Sequence, residues 1–190
     1  MEPGNRQPAP APLSLVQRFV NSYDHLTGRG ILESPQELDR WLAVHRLPAG
    51  TRASTPGDVR YVHEIREALR AVLLANNGAS PDPEKIALVN AAAQKAPLRF
   101  RLGRKSGPEI VSQGGGVHGA VGTILAAVVE AQHLGMWPRL KACRECGWVF
   151  YDHSRNRSGS WCTMAVCGSR AKMRAYRQRQ RARSSANSRH

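Results

Sequence analysis

The chain has no apolar run long enough to cross a membrane as a helix. Its nearest candidate, Gly119 to Val129, spans eleven residues and ends at Glu130, whereas a membrane span needs roughly 18. The first twelve residues include four prolines and lack the apolar centre of a secretory signal. These absences argue against a membrane-spanning or secreted protein and predict a cytoplasmic one, in which thiols stay reduced.

Cysteine is absent from the first 142 residues, and acidic residues are scarce in the rest of the chain. Residues 139–190 carry 13 Lys/Arg against only Glu145 and Asp152, a net charge of +11. Residues 1–138 carry 15 Lys/Arg and 12 Asp/Glu, a net charge of +3. Most of the formal charge of +14 therefore lies at one end. This asymmetry predicts a polyanionic partner, with nucleic acid favoured over an anionic membrane surface.

All four cysteines lie in the last 48 residues, as two short pairs separated by fifteen residues. Each pair can wrap one edge of a metal ion, and the intervening loop lets the pairs face each other. A piece of about 40 residues buries too little surface to fold alone, and structural zinc supplies roughly 10–16 kcal/mol in finger peptides. The spacing predicts one structural zinc ion held by Cys143, Cys146, Cys162 and Cys167.

Other interpretations of the cysteines are four buried thiols or a CxxC redox pair. A catalytic zinc is disfavoured because four Cys ligands leave no open position. His153 is a competing ligand, although a surface position suits it better when four thiolates are present. Gly147 and Gly168 each follow the second cysteine of a pair, where we expect a tight turn that needs freedom in φ.

The residues after Cys167 are good helix formers and strongly basic. On a helix, four arginines fall within about 60° of arc: Arg170, Arg174, Arg177 and Arg181. Together with Lys172, this arginine stripe is a candidate for contacts to phosphates or to guanine, and Met173 and Tyr176 are expected to pack on the finger. The alternative is a solvated, frayed tail.

Arg155 and Arg157 form a second basic segment, either another phosphate contact or a plain connecting loop.

The remainder of the chain is predicted to be mainly α-helical with one small β-hairpin. Capping residues and apolar periodicity predict helices over residues 13–22, 35–45, 56–75, 83–96 and 117–134, and the hairpin pairs residues 98–102 with 110–111. Asn76-Asn77-Gly78 is expected to end the third helix, Ile86 to face inward on the fourth, and Gly119 to Val129 to be buried in the fifth. The predicted organisation is a disordered leader (1–12), a helical domain (13–137), a zinc finger that is treble-clef-like or ribbon-like and ends in a basic helix (138–183), and a disordered tail (184–190).

Polar candidates in the helical domain are few. Asn21 and Arg29 are the candidate ligand-binding residues, and Asn21 is also explained as a helix cap. The run Gly114 to Gly116 lacks the Lys-Ser/Thr of a phosphate-binding loop and is better explained as a hinge. No Ser/His/Asp or Cys/His arrangement is recognisable, so an enzyme is the weakest functional class.

Two segments of the C-terminal region carry a resemblance to a known family. They read Cys143-x-x-Cys146-x-x-Val-Phe150-Tyr-Asp152-x-Ser154-Arg155-Asn156 and Trp161-Cys162-x-Met164-x-x-Cys167-Gly168-Ser169-Arg170-x-Lys172. This pattern resembles the CGNR zinc finger family, a bacterial family that pairs the finger with an N-terminal ABATE-like domain and is regarded as stress-related transcription regulators. Phe19-Val20-Asn21-Ser22, Thr27-Gly28-Arg29 and Trp41-Leu42 resemble the start of that domain. Two positions depart from the pattern: Ser169 replaces the family's Asn, and Arg18 stands where many members have an acidic residue.

The resemblance implies a DNA-binding regulator that contains zinc. We expect the helical domain to sense a small-molecule effector or to mediate self-association, for example as a homodimer. The rivals are an RNA-binding protein and a protein-interaction adaptor that use the same cationic finger. The sequence contains no RRM or KH signature that would favour RNA.

Overall fold

The computed structural model describes residues 7–48, 50–103 and 107–187. Within these residues the helices are α1 (Leu13–Val20), α2 (Pro35–Val44), α3 (Pro56–Ala75), α4 (Pro83–Lys95), α5 (Gly116–His133) and α6 (Ser169–Asn187). The strands form three antiparallel pairs: β1 (Tyr23–Asp24) with β2 (Arg29–Gly30), β3 (Leu98–Gly103) with β4 (Gly107–Ser112), and β5 (Leu140–Ala142) with β6 (Val149–Tyr151).

The mainly α class is confirmed, and β3–β4 is the predicted hairpin. The β1–β2 and β5–β6 pairs lie in segments where no strand was predicted. None of the described helices combines the length and apolarity of a membrane span.

Side-chain caps define where the helices begin. At the start of α2, the hydroxyl of the cap residue Ser34 accepts a hydrogen bond from the N–H of Glu37 at 3.3 Å. The Glu37 carboxylate accepts the N–H of Glu33 instead of the N–H of Ser34. Thr55 and Asp58 form a complete capping box at the start of α3, in which each side chain accepts the other's backbone N–H. Such caps satisfy the free N–H groups of a first helical turn.

Helix α5 is the centre of the core and packs against α1, α3, α4 and β4. The prediction of a buried helix from Gly119 to Val129 is confirmed, because most of these side chains are excluded from solvent. Gly122 permits a close approach of α5 to the end of α4, since a Cβ there would lie 2.7 Å from the Cβ of Ala96. Helix α4 lies at the periphery, where Ala92 is its one fully buried side chain among the described residues and Ile86, predicted to face inward, is exposed.

The β5–β6 hairpin presents its two faces to two different environments. Leu140, Ala142 and Val149 have no exposed surface and belong to the same apolar core as α1, α3 and α5. Cys143 and Phe150 belong to a second cluster that includes the other cysteines. Because alternate residues of a strand point to opposite faces, a three-residue strand pair can belong to both cores. The cysteine-bearing region is therefore built onto the helical domain.

Asn21 binds the edge of β6 in the manner of a neighbouring strand. Its Oδ1 accepts the N–H of Val149 at 2.8 Å, and its Nδ2 donates to the Val149 carbonyl at 2.9 Å. The same carbonyl also accepts from Gln17 Nε2 at 3.3 Å. Asn21 does occupy the C-terminal cap position of α1, but its side chain connects that helix to the hairpin. Arg29, the other candidate, is exposed on β2.

The turn after α3 supplies a second connection. Gly78, with a φ of +85°, closes this turn as predicted. The buried Asn77 side chain donates from Nδ2 to the carbonyls of Ala142 at 2.8 Å and Ser160 at 2.9 Å. These carbonyls belong to the segments that precede the two cysteine pairs. The side-chain amide of Asn77 therefore connects both segments to the end of α3.

The structure describes parts of the predicted leader and of the predicted tail. Ala9, within the predicted leader, is buried, and its N–H donates to Gln17 Oε1 at 2.7 Å. An extended, proline-rich segment can lie on α1 in this way because its small side chains leave the backbone accessible. At the other end α6 continues to Asn187, beyond the predicted limit at residue 183. Residues 1–6 of the leader and 188–190 of the tail lie outside the described residues, and the division into domains stays a prediction.

We expect Asn77→Ala to lower the free energy of unfolding by about 2 kcal/mol, because two buried carbonyls lose their donor. Urea unfolding of the zinc-loaded protein measures this. The matched control is Asn90→Ala on the exposed face of α4, which should be neutral or slightly stabilising because alanine has the higher helix propensity. Equal stability of the two variants would show that the Asn77 connection contributes nothing.

Candidate metal centre and the basic surface around it

The sulfur atoms of the four cysteines form one compact cluster. All four lie within 4.8 Å of one another, and the Sγ–Sγ distances among Cys146, Cys162 and Cys167 are each 3.6 Å. Sulfurs bound tetrahedrally to zinc at about 2.3 Å would lie about 3.8 Å apart, whereas a disulfide bond is about 2.05 Å long. The separations fit a shared metal ion and exclude disulfides, so the donor set suits one zinc.

The acid–base behaviour of the cluster also calls for a cation. Hydrogen bonds from the Cys146 and Cys162 thiols hold the pKa of Cys143 well below its usual range. The hydrogen bond to Cys143 raises the pKa of Cys146 to about 12, and hydrogen bonds to Cys143 and Cys146 raise that of Cys162. One thiolate therefore suppresses ionisation of its neighbours. Four thiolates can coexist here only with a positive ion among them.

The first cysteine pair lies at the turn between β5 and β6. Gly147 has a φ of +72°, as predicted, and its N–H donates to the Cys143 carbonyl at 2.9 Å. The N–H of Cys143 donates in turn to the Trp148 carbonyl at 2.9 Å. These bonds close a tight knuckle in which Cys143 and Cys146 face the same side.

The second pair ends in a single π-helical turn, Met164–Gly168, that leads directly into α6. Cys167 is completely buried, and its N–H donates to the Thr163 carbonyl at 3.1 Å. The predicted reason for Gly168 is wrong, because its φ is not positive. Its small size matters instead, since a Cβ would lie 2.7 Å from the Met164 sulfur. Sulfur ligation at Cys167 thus fixes the start of the basic helix.

A buried ion pair supports the loop between the two cysteine pairs. Lys141 Nζ lies 2.8 Å from Asp152 Oδ2, and both side chains are almost fully buried. Burial alone would raise the pKa of Asp152, but hydrogen bonds from Lys141, Ser154 and Gly159 lower it to about 2. Asp152 is therefore ionised, and its carboxylate accepts the backbone N–H groups of Ser154 and Gly159 at the two ends of the loop.

The loop above this pair exposes the second basic segment. Arg155 and Arg157 are both solvent-exposed. Arg139 Nη1 donates to the Ser154 carbonyl at 2.8 Å, and Lys141 Nζ donates to the Arg157 carbonyl. The backbone of the segment is therefore anchored from below while its two guanidinium groups face solvent. His153 is exposed and lies outside the sulfur cluster, as expected for a surface histidine.

The predicted arginine stripe lies on the exposed side of α6. Arg170, Arg174 and Arg177 line one surface depression of about 570 Å³ next to Glu145. Arg174 Nη2 is bonded to the Glu145 carboxylate, so one guanidinium of the stripe is held by the finger itself. Lys172 and Arg181 are exposed elsewhere along the helix. Met173 and Tyr176 were expected to pack on the finger, but both are more than half exposed because α6 projects beyond it.

A charged cluster on α3 contacts the knuckle from the helical side. Arg66 and Arg70 are buried, and both bind the carboxylate of Glu67 at 3.0 Å. Burial would raise the pKa of Glu67, but hydrogen bonds from Arg70 above all lower it to about 2. Arg70 also donates from Nη1 to the Gly147 carbonyl at 2.7 Å and from Nη2 to the Val20 carbonyl. The knuckle, α1 and α3 are thereby joined through one guanidinium.

Sequence reasoning missed these supporting residues. Lys141, Asp152 and Arg70 were treated as ordinary charges, and Asn77 only as a helix stop. Lys141 alternates with two apolar residues in a short segment, which is typical of a strand with one face in a core. Asp152 with Ser154 two positions later is typical of an Asx turn. Both signals are present in the sequence but weak.

Two family models match the chain. The ABATE model, described as "Putative stress-induced transcription regulator", matches residues 13–133. The CGNR zinc finger model matches residues 139–180, which contain all four clustered cysteines. No curated protein matches the chain. The geometry of the sulfurs and the second match together identify one structural zinc site.

We expect the purified protein to contain one zinc per chain, with all four thiols unreactive until a chelator removes the metal. Cys167→Ser should lose stoichiometric zinc because three thiolates no longer close the tetrahedron. His153→Ala is the control and should keep one zinc. Elemental analysis with thiol titration measures both variants. Full zinc content in Cys167→Ser, or its loss in His153→Ala, would contradict the assignment of the ligands.

Proposed function

This chain belongs to the ABATE family and carries a CGNR zinc finger, and we propose that it is a zinc-dependent DNA-binding transcription regulator of a bacterium. In this proposal it acts in the cytoplasm at the nucleoid, the zinc finger contacts DNA, and the helical domain senses a ligand or mediates association. Both families are regulatory or zinc-finger types, so an enzymatic function has no support from them.

The exposed basic helix is the observation that carries the proposal. Helix α6 has 19 residues and is therefore about 28 Å long at 1.5 Å per residue. It carries seven Lys/Arg and no Asp or Glu. The major groove of DNA is about 12 Å wide and admits one helix of this kind. Since the zinc ligand Cys167 lies two residues before the first residue of the helix, the finger can orient the helix toward a duplex.

Within the stripe, the proposal assigns different tasks to different arginines. Neither Arg170 nor Arg177 has an ion-pair partner among the described residues, so both can contact phosphates or base edges. Arg174 is oriented by Glu145 and contributes at a fixed position. Lys172, Arg181, Arg155 and Arg157 are the outer phosphate contacts.

RNA is the rival partner for the same surface. Single-stranded RNA is usually bound by stacking its bases on exposed aromatic rings. Tyr176 is exposed on α6, whereas Trp161 and Tyr151 are partly buried in the finger. A helix rich in arginine with one exposed ring suits duplex DNA better than single strands.

We expect binding to duplex DNA to weaken with salt along a log–log slope near −4.5, which corresponds to about five neutralised phosphates. Arg170→Ala/Arg177→Ala should make the slope shallower by about 2, because each lost contact accounts for about 0.9. Fluorescence anisotropy at several salt concentrations measures this, with the zinc content checked in parallel.

The matched control for charge is Arg29→Ala/Arg60→Ala, two exposed arginines of the helical domain. It should leave the slope unchanged. Equal slopes for all three proteins would place the contact elsewhere than on α6. Tighter binding to RNA or to single strands at matched salt would favour the rival, and no retention of any nucleic acid at low salt would exclude both.

A further inference from the structure

A cavity of about 620 Å³ opens where α1, α2 and the cysteine-bearing knuckle meet. Its walls come from three parts of the chain that are far apart in sequence. Arg18 and Asn21 come from α1, Arg40 and Trp41 from α2, and Trp148 from the knuckle. Its volume is in the range of about 300–1,000 Å³ that is typical of small-molecule sites.

The apolar wall of the cavity combines buried indoles with exposed aliphatic side chains. Trp41 and Trp148 are more than nine-tenths buried, so only the edges of their rings reach the cavity. Ile31 is 56% exposed and Val44 is 71% exposed beside them. The His45 ring stacks on Trp41 with centroids 4.1 Å apart. A flat apolar molecule would cover this wall and remove the two aliphatic side chains from water.

The charged groups of the cavity are not neutralised within the protein. Arg18 and Arg40 have no ion-pair or hydrogen-bond partner among the residues that the structure describes. Glu37 accepts only the N–H of Glu33 among those residues. Two guanidinium groups against one carboxylate leave a net charge of +1 for the cavity. Guanidinium forks match carboxylate and sulfonate oxygens in pairs.

The other large cavity of the helical domain lacks this feature. It has a volume of about 680 Å³ and includes Asp39, Arg52 and Asp58. Arg52 lies 2.8 Å from Asp58, and the Asp39 carboxylate accepts from the N–H and hydroxyl of Ser54. Each of these three charged groups already has a partner within the protein, so none of them is vacant for a charged ligand.

We propose that the cavity between α1, α2 and the knuckle binds a small organic anion with a planar aromatic ring. Its anionic group pairs with Arg18 and Arg40, and its ring lies against Ile31, Val44 and the indole edges. This assignment rests on the proposed function in one respect, since it identifies the site where the helical domain senses its ligand. The binding itself does not require DNA.

The position of Trp148 explains how occupancy would reach the finger. Trp148 follows Gly147, whose carbonyl is held by Arg70, and precedes Val149, whose backbone is held by Asn21. Asn21 also lines the cavity. A ligand that moves either side chain therefore acts on the backbone that orders Cys143 and Cys146.

The probe for the test is 8-anilinonaphthalene-1-sulfonate, an aromatic anion with a planar naphthalene ring, whose fluorescence increases on burial. Its neutral counterpart is N-phenyl-1-naphthylamine, the same ring system without the sulfonate. We expect the zinc-loaded full chain to bind the anion at least tenfold more tightly than the neutral molecule. Equal affinities, or no saturable binding of the anion, would overturn the proposal.

Two variants locate the site. Arg18→Gln/Arg40→Gln should weaken the anion at least tenfold and leave the neutral probe unchanged. Val44→Asp should weaken the anion similarly, because it adds a negative charge at an exposed position, with a small cost in stability from the C-terminal end of α2. Arg60→Gln/Arg99→Gln, two exposed arginines outside the cavity, is the matched control and should bind both probes like the unaltered protein.

Fluorescence titration with thermal melts of every variant distinguishes loss of the site from loss of the fold. Unchanged anion affinity in Arg18→Gln/Arg40→Gln or in Val44→Asp would place the probe elsewhere, including on α6, and would overturn the assignment. Probe binding is measured without DNA and DNA binding without probe. Failure of the proposed ligand site is therefore distinguishable from failure of the proposed DNA-binding function.

Discussion

The alternation of side chains along β5 and β6 is the constraint on which the rest of the structure depends. One face of this hairpin, with Leu140 and Val149, completes the core of the helical domain, and the other, with Cys143 and Phe150, begins the sulfur cluster. A register shift of one residue would place the lysine of β5 in the apolar core. The two cores therefore meet at one short hairpin, and both depend on the pairing of its strands.

Zinc and the helical domain divide the work of holding the finger. The sulfur cluster joins the knuckle to the π turn before α6 and so sets the direction of that helix. Asn21, Asn77 and Arg70 hold the knuckle from the other side through backbone carbonyls. The loop that carries Arg155 and Arg157 has an additional support, because the buried Lys141–Asp152 pair binds its backbone. The sulfur cluster thus supports α6, the Lys141–Asp152 pair supports the loop, and both segments expose guanidinium groups.

The sequence predicted what is encoded locally. Capping residues and apolar periodicity placed the helices to within a few residues, and the cysteine spacing predicted the metal centre. It could not predict the contacts between Asn21 and Val149, which are separated by 128 positions, because a polar residue at a helix end has several local explanations. Ile86 fitted a helical period but faces solvent, since α4 lies at the edge of the core. The short strands β5 and β6 gave too few residues for a clear alternation.

The attachment of Asn21 to β6 has a consequence for the retention of zinc. The first cysteine pair acquires its geometry from residues near the beginning of the chain, and the second pair lies beyond residue 160. The fully supported metal site therefore combines contacts from both ends of the chain. We therefore expect the strength of zinc retention to depend on the integrity of the helical domain as well as on the four cysteines.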